Sequence, residues 1–251
     1  MTVEGMLHSL ARVDAQRELR RRDTELGRLV FELKAFQQGR LQLTYPDLLG
    51  HARWGSAARF FLEELYGPKD FSERDQGLAR VVPTLVRLFP KDVLTTVERL
   101  LQLHAVSEEL DTLMAMAARS AVVGQGLGQM ADAPASFWDA SRYGGAWRTV
   151  GRRLEREGQV RTVVDLGAQL DRLTRLPGLR QSLRFMRGPA QLSGLGPLQN
   201  FLERGFDAFK AMGGAGGFLA TIDSREGVWL DFLFSGREAT PEDPVWLGQF
   251  P

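Results

Sequence analysis

Leucine is the residue that most constrains how this chain folds. The sequence holds 37 Leu and 17 Val but a single Ile, Ile222, so β-branched residues are under-used. Leu loses little side-chain freedom in a helix, whereas Val and Ile are favoured in strands. No stretch alternates apolar and polar residues for long enough to indicate a sheet. The sequence therefore predicts an all-α protein.

Composition limits the chemistry and the compartment. The chain has 251 residues, of which 43% are hydrophobic and 25% charged, and it contains no Cys. A chain of this length buries a substantial core without cross-links, and the lack of Cys excludes disulfides, zinc-thiolate sites and a catalytic thiol. The N-terminus lacks the pattern of a signal peptide, and the longest charge-free stretches fall short of the roughly 20 apolar residues of a membrane span. We expect a soluble, cytoplasmic protein that does not associate with membranes.

Apolar residues recur at helical spacing in a series of windows. In the first half the predicted helices cover 24–38 after a cap at Asp23 or Thr24, 46 to about 66, 72–88, and 90 to about 119. In the second half they cover 134–143, 146–156, 158–174, 178–187, 197–212 and 215–235. His8 falls in an N-terminal segment that is expected to fray.

A Gly-rich stretch without charge until Asp132 joins Ala121 to Pro134 and is typical of a connection between helices. It divides the chain into an N-terminal helical half, 1–121, and a C-terminal helical half, 134–251. The second half ends in an irregular tail from which Val245, Trp246 and Leu247 are expected to pack on the helices. We expect a multi-helix orthogonal bundle of two packed helical halves that form one compact unit.

Charge is unevenly distributed along the chain. Residues 142–187 hold eleven Arg against four acidic residues, a local charge of +7, and residues 207–251 carry −4. Such runs usually coat solvated helix faces. The alternative is a patch for an anion or an acidic protein partner, with Arg148, Arg152, Arg153 and Arg156 as the candidates. Nucleic acid is disfavoured as a partner, because the pI is 8.1 and no aromatic residue regularly interleaves the Arg residues.

Two histidines fall on predicted helices. At 100° per residue, His51 shares the core-facing stripe of Trp54, Gly55 and Phe61, and the small Gly55 leaves room beside the imidazole. His104 shares a face with Leu100 and Leu101, and Glu108 one turn later is a possible orienting partner. Neutral imidazoles held by a carboxylate can bind a metal, a haem or another ligand. The alternative is that both are hydrogen-bonded core residues without a chemical role.

The motifs that accompany catalysis are absent from the sequence. It has no Glu-x-x-His pair of a di-iron bundle and no His-Glu-x-x-His zinc motif, so no metal site is expected. Its Gly-rich runs lack the spacing of a dinucleotide-binding turn and the lysine of a P-loop, and there is no Gly-x-Ser-x-Gly elbow. The sequence implies no particular cofactor and favours a protein that is not an enzyme.

The stretch from Phe60 to Tyr66 reads Phe-Phe-Leu-Glu-Glu-Leu-Tyr. It resembles, at all seven positions, the signature of the bacterial family named after its FFLEELY motif. The segments 184–189 and 201–206 are also similar to such proteins, which extends the resemblance over most of the chain. The family is uncharacterised, so the resemblance implies a bacterial helical protein and carries over no catalytic or binding residue. Tyr66 flanks the apolar stripe, from which it could reach a second helix or a ligand.

Three functions follow from these observations. The first is a non-enzymatic interaction or regulatory protein that docks a partner through its charged helical surfaces. The second is a binding protein for an apolar or tetrapyrrole-like ligand held between helices, with His51, Gly55, Phe61, Tyr66 and His104 as candidate contacts. The third, least favoured, is a helical enzyme that uses His51 or His104 as a base.

Overall fold

The computed structural model describes residues 3–64, 67–68, 71–88, 91–124 and 136–251, and all regular secondary structure in those ranges is helical. The all-α prediction is therefore confirmed. The helices, in chain order, are α1 (Val3–Arg22), α2 (Thr24–Thr44), α3 (Pro46–Gly50), α4 (Gly55–Glu64), α5 (Ser72–Leu88), α6 (Lys91–Gly124), α7 (Ala140–Val150), α8 (Arg153–Leu173), α9 (Leu179–Phe185), α10 (Arg187–Leu192), α11 (Gly196–Met212) and α12 (Gly216–Ser235).

The prediction that the N-terminal segment frays is wrong. Helix α1 occupies it and buries Met6 and Leu10 in its first half. Its second half is mostly charged, and two of those charges pair with other helices: the Arg17 guanidinium donates to Asp75 of α5 at 2.6 Å, and the Arg20 guanidinium donates to the Glu108 carboxylate of α6. Apolar periodicity is a poor guide to this helix because ion pairs hold its second half in place.

The single helix predicted from residue 46 to about 66 is broken into α3 and α4. His51 has an extended backbone, with φ −73° and ψ 131°, and residues 52–54 form a turn. A Cβ on Gly55 would lie 2.7 Å from the Leu49 carbonyl oxygen, so glycine lets the chain return this closely to the end of α3. The 100° spacing is interrupted at the break, and His51 therefore does not share the core-facing side of α4.

Other helices also differ from the predictions: α2 continues six residues past the predicted end at 38, and α7 runs without a break across residues 144 and 145, where two helices were predicted to be separate. Asp23 is the N-cap of α2, as predicted, and its side chain accepts a hydrogen bond of 2.9 Å from the Leu26 N–H. The predicted helix 146–156 is divided at Gly151 and Arg152, whose φ angles are 63° and 57°. The predicted helix 178–187 ends at Phe185, and α10 begins at Arg187.

Buried apolar side chains of the described residues form three clusters. The first gathers residues of α2, α6, α7 and α12 together with the tail: Leu26, Leu29, Val30, Leu33, Phe36, Met114, Ala115, Ala118, Phe137, Trp138, Tyr143, Ala146, Trp147, Trp229, Leu230, Phe232, Leu233 and Leu247. The second lies between α3, α4, α11 and the start of α12: Tyr45, Leu48, Ala57, Ala58, Phe60, Ala208, Phe209, Met212, Ala215, Phe218 and Leu219. The third joins α1, α5 and α6 through Met6, Leu10, Val82, Leu94 and Leu101.

The C-terminal tail packs against the first cluster, as predicted for Trp246 and Leu247. The Phe250 ring lies 5.3 Å from Trp229 and 5.8 Å from Phe36, centroid to centroid. The same prediction is wrong for Val245, whose side chain is 86% exposed. Residues close to Pro in an irregular segment have no periodic face from which the buried side could be read.

The predicted division into two halves stays a prediction. Residues 125–135, which make up most of the proposed connection, lie outside the described residues. The first cluster contains side chains from both sides of that connection, such as Leu33 and Met114 before it and Tyr143 and Trp229 after it.

Two glycines of α8 have different surroundings, so the substitution of each by Ala is expected to have opposite effects on stability. A Cβ on Gly167 would overlap Cδ2 of the buried Leu219 and lie 3.2 Å from its Cδ1, whereas a Cβ on Gly158 would meet nothing within 4 Å. We expect Gly167→Ala to lower the free energy of unfolding by about 1–3 kcal/mol through overpacking. Gly158→Ala is expected to raise it by up to about 1 kcal/mol through helix propensity. Urea denaturation of both variants tests this, and equal effects would contradict the close contact between α8 and α12.

Candidate functional site

A central cavity of about 250 Å³ lies where the three apolar clusters meet. Its wall includes Trp229 and Leu233 of the first cluster, Phe218 and Leu48 of the second, and Leu101 of the third. A dry cavity of about 150 Å³ holds a benzene molecule, and pockets for larger ligands begin near 300 Å³. The space therefore suits a molecule of one or two rings or an equivalent short chain.

One part of the cavity wall is apolar and aromatic. It is contributed mainly by α3, α4, α8, α11 and α12. Its side chains include Leu41, Leu48, Leu49, Ala58, Phe61, Leu62, Val163, Leu166, Leu170, Leu198, Phe201, Phe218 and Ile222.

Another part of the wall is a buried ion pair between α2 and α12. Arg40 donates to both oxygens of Glu226, at 3.1 and 2.8 Å, and the Tyr45 hydroxyl donates to the same carboxylate at 2.8 Å. The Arg40 guanidinium carbon lies 5.0 Å from the centre of the Trp229 ring. Burial opposes the charge of Arg40, but Glu226 outweighs it and raises the pKa of Arg40. Burial raises the pKa of Tyr45, and Glu226 adds to the effect. The arginine is therefore ionised and the phenol neutral.

A second polar group on the wall surrounds Glu108 of α6. The buried Glu108 carboxylate accepts hydrogen bonds from Arg20 of α1 and Lys34 of α2. Burial works against ionisation of this carboxyl, yet Lys34 and Arg20 outweigh it and lower its pKa to about 2. Asp111, one turn further along α6, accepts from Gln37 at 3.1 Å and lies 3.9 Å from the Lys34 ammonium. Burial raises the pKa of Asp111, so the pKa values of the two neighbouring carboxyl groups are shifted in opposite directions.

The third polar group contains His104, which lines the cavity as Glu108 and Asp111 do. Its Nε2 lies 2.9 Å from Oδ2 of the buried Asp75 in α5. The same oxygen accepts a hydrogen bond of 2.6 Å from Arg17 of α1. The predicted partner of His104 was Glu108, and this is wrong: Glu108 is taken by Arg20 and Lys34, and the orienting carboxylate comes from α5.

The five ligand-contact candidates do not come together. Phe61 and His104 line the cavity, whereas His51 and Gly55 do not. His51 is exposed and stacks on Trp54 at 4.2 Å between centroids, and its Nδ1 accepts a bond of 3.1 Å from the Arg53 N–H. The space expected beside Gly55 is filled by the Leu49 carbonyl. Tyr66 lies outside the described residues.

The four arginines predicted to form a patch are not equivalent. Arg152 and Arg153 are partly exposed and pair with acidic neighbours on α8, Glu155 at 2.6 Å and Glu157 at 2.8 Å. Arg148 donates to the Leu233 carbonyl at 3.3 Å. The prediction fails for Arg156, which is 6% exposed, lines the cavity and lies 4.3 Å from the Trp147 ring.

Most polar residues of the wall were not singled out from the sequence. They nevertheless follow helical spacing: Lys34, Gln37 and Arg40 on α2, and His104, Ser107, Glu108 and Asp111 on α6. A polar stripe with this spacing reads as a solvated face, so no local signal marked these residues as interior.

A second cavity, of about 620 Å³, lies where the connection after α8 meets the end of α11. Two of its three cations pair with carboxylates, Arg175 with Asp171 at 2.6 Å and Arg180 with Asp207 at 2.7 Å, and the Lys210 ammonium lies 5.7 Å from the centre of the Phe206 ring. It therefore offers less to a ligand than the central cavity.

Comparison with known proteins places the chain in a family. Residues 16–240 match the family model described as Domain of unknown function (DUF8198). The chain belongs to this family. The matched range of the DUF8198 family contains every residue that lines the central cavity and excludes the final residues of the tail. No curated protein and no solved structure matches the chain.

Two features are absent from the described residues. None of their helices is long and apolar enough to cross a membrane. Their His, Asp and Glu side chains form no group of three that could hold a metal ion.

The pKa of Glu108 predicts an acid-sensitive stability. An unfolded chain binds this proton near pH 4.3, whereas the folded chain binds it near pH 2. The ionised carboxylate therefore stabilises the fold fully above about pH 4.5, and this contribution is lost as the pH falls from there to about 2. Glu108→Gln should lower the free energy of unfolding by about 3 kcal/mol at pH 7 and flatten its pH dependence below pH 4.5.

The neighbouring Glu109 is the matched control. It pairs with Arg12 at 2.8 Å and is more exposed than Glu108. Glu109→Gln is expected to cost less than about 1 kcal/mol. Urea denaturation between pH 3 and 7 compares the two variants, and equal losses would refute the role of the buried network.

Proposed function

We propose that this protein binds a small amphipathic molecule in its central cavity. The observation that carries the proposal is the division of the wall into an aromatic and aliphatic part and a part with buried ion pairs. Binding sites for small molecules are concave and mostly apolar, with a few polar groups that fix orientation. An amphipathic ligand matches this arrangement, because its apolar body and its polar group each have a complementary wall.

The volume of the cavity limits the size of the ligand and argues against the tetrapyrrole considered from the sequence. A tetrapyrrole has four rings, whereas a cavity of about 150 Å³ holds a single benzene ring. A space of about 250 Å³ supports a ligand of one or two rings instead. The contacts proposed for it are Phe61 and His104, without His51.

Native mass spectrometry of the purified protein tests the proposal. An excess mass that disappears on denaturation would reveal a bound molecule, and it should be absent from Val163→Phe, which fills the cavity. Val164→Phe is the matched control, because Val164 is the next residue of α8 but does not line the cavity. This variant adds the same volume outside the cavity and should retain the bound mass. If the bound mass survives in Val163→Phe, or if small aromatic compounds added to the wild type do not raise its melting temperature, the proposal fails.

A second candidate function, the docking of a protein partner, rests on a different surface. The hairpin of α9 and α10 leaves Phe185 82% exposed and Leu192 92% exposed. Of the four Arg among residues 175–196, Arg175, Arg180 and Arg187 pair with Asp171, Asp207 and Glu203, and the exposed Arg184 pairs with no carboxylate of the described residues. An exposed apolar surface with basic neighbours suits an acidic partner with apolar contacts of its own.

Paired variants distinguish this surface from the arginines of α8. We expect Phe185→Ser with Leu192→Ser to abolish recovery of a specific acidic partner in affinity capture. Arg152→Glu with Arg153→Glu should weaken it by less, because Glu155 and Glu157 already neutralise those arginines. The reverse order would favour the patch predicted from the sequence.

Origin and location complete the proposal. The resemblance of residues 60–66 to the FFLEELY family supports a bacterial source and the identity of that family with the DUF8198 family. A cytoplasmic location is proposed from the composition, which includes no Cys.

A further inference from the structure

His104 has one hydrogen-bonding position that the described protein residues leave open. Its Nε2 bonds to Asp75, and no other hydrogen bond of this imidazole is made within residues 3–64, 67–68, 71–88, 91–124 and 136–251. Its side chain is only 17% exposed, and it lines the central cavity. The open position is therefore at Nδ1 of a largely buried ring.

The hydrogen bonds of Asp75 determine which nitrogen of the neutral His104 ring carries the proton. The Asp75 oxygen that faces Nε2 also accepts from the Arg17 guanidinium at 2.6 Å. A carboxylate bound to a guanidinium is ionised and can only accept hydrogen bonds. In the neutral ring Nε2 must therefore carry the proton, and Nδ1 is left with a lone pair that accepts.

Two ion pairs of the wall argue against a charged ligand. Lys34 is paired with Glu108, and Arg40 with Glu226. A charged group that approached either pair would have to displace one of its partners and leave a charge buried without compensation. A neutral group avoids that cost.

From this geometry we infer the class of ligand: a neutral apolar molecule with one hydroxyl or N–H group, which donates a hydrogen bond to Nδ1 of His104. The inference rests on the proposed function, because it concerns the same cavity. The apolar body of the ligand lies against the neighbouring Leu78, Leu101 and Leu103, which also line the space. Asp75 and Arg17 act as positioning residues that hold the accepting tautomer.

Indole and benzofuran test the inference because they have nearly the same shape. Indole donates through its ring N–H, whereas benzofuran has an oxygen at that position and cannot donate. Calorimetric titration of the wild-type protein should give tighter binding of indole by roughly two- to tenfold, the effect of one neutral hydrogen bond. His104→Leu should remove the preference while benzofuran still binds. His51→Leu, which changes an exposed histidine outside the cavity, should leave the preference intact.

A measurement on the unaltered protein covers the case in which His104→Leu fails to fold. The chain has three histidines, so ¹⁵N spectra of their rings can be assigned with single variants of His8 and His51. The His104 ring should show a protonated Nε2 and an unprotonated Nδ1, and the Nδ1 resonance should move when indole is added but not with benzofuran.

The results distinguish two claims: that the cavity binds a small molecule, and that the molecule donates a hydrogen bond to His104. Equal binding of indole and benzofuran, or a His104 ring protonated at both nitrogens at neutral pH, would overturn the ligand class and leave the cavity as a binding site. Binding of neither compound would overturn both. A preference for indole that depends on His104 supports both.

Discussion

The buried carboxylate of Glu108 is the interaction on which the rest of the structure depends. It lies on the longest helix and accepts hydrogen bonds from Arg20 of α1 and Lys34 of α2, so a single side chain joins three helices. Removing this carboxylate would leave both cations without it in a setting of low polarity, which is costly. The network therefore fixes the relative position of these helices more specifically than leucine packing does. It also places Asp111 and His104, its neighbours on α6, along the wall of the cavity.

The sequence predicts the fold class well because leucine content and helical periodicity are local properties. It also predicts the cap at Asp23 and most of the later helices to within a few residues. It fails at α1 and at the break after α3 for two physical reasons. The second half of α1 is held by ion pairs to residues 58 and 88 positions away, and the break at His51 depends on the close approach of Gly55 to the Leu49 carbonyl.

The candidate site was only partly predictable, because it is assembled from side chains that are distant in the sequence. His104 was singled out as core-facing, but its carboxylate partner was sought one turn away on the same helix and comes instead from Asp75 of α5. Arg40 and Glu226 are 186 residues apart. Nothing local distinguishes a paired interior arginine from a solvated one, and the same ambiguity placed the buried Arg156 on a surface patch.

The position of the cavity has a consequence for how the protein would behave in the cell. Since its wall takes residues from all three clusters, a molecule inside it touches each part of the core at once. Binding energy that is available only to the folded state adds to the stability of that state as the ligand concentration rises. Resistance to degradation would then follow the supply of the ligand, so the abundance of the protein itself would report how much of that molecule is present.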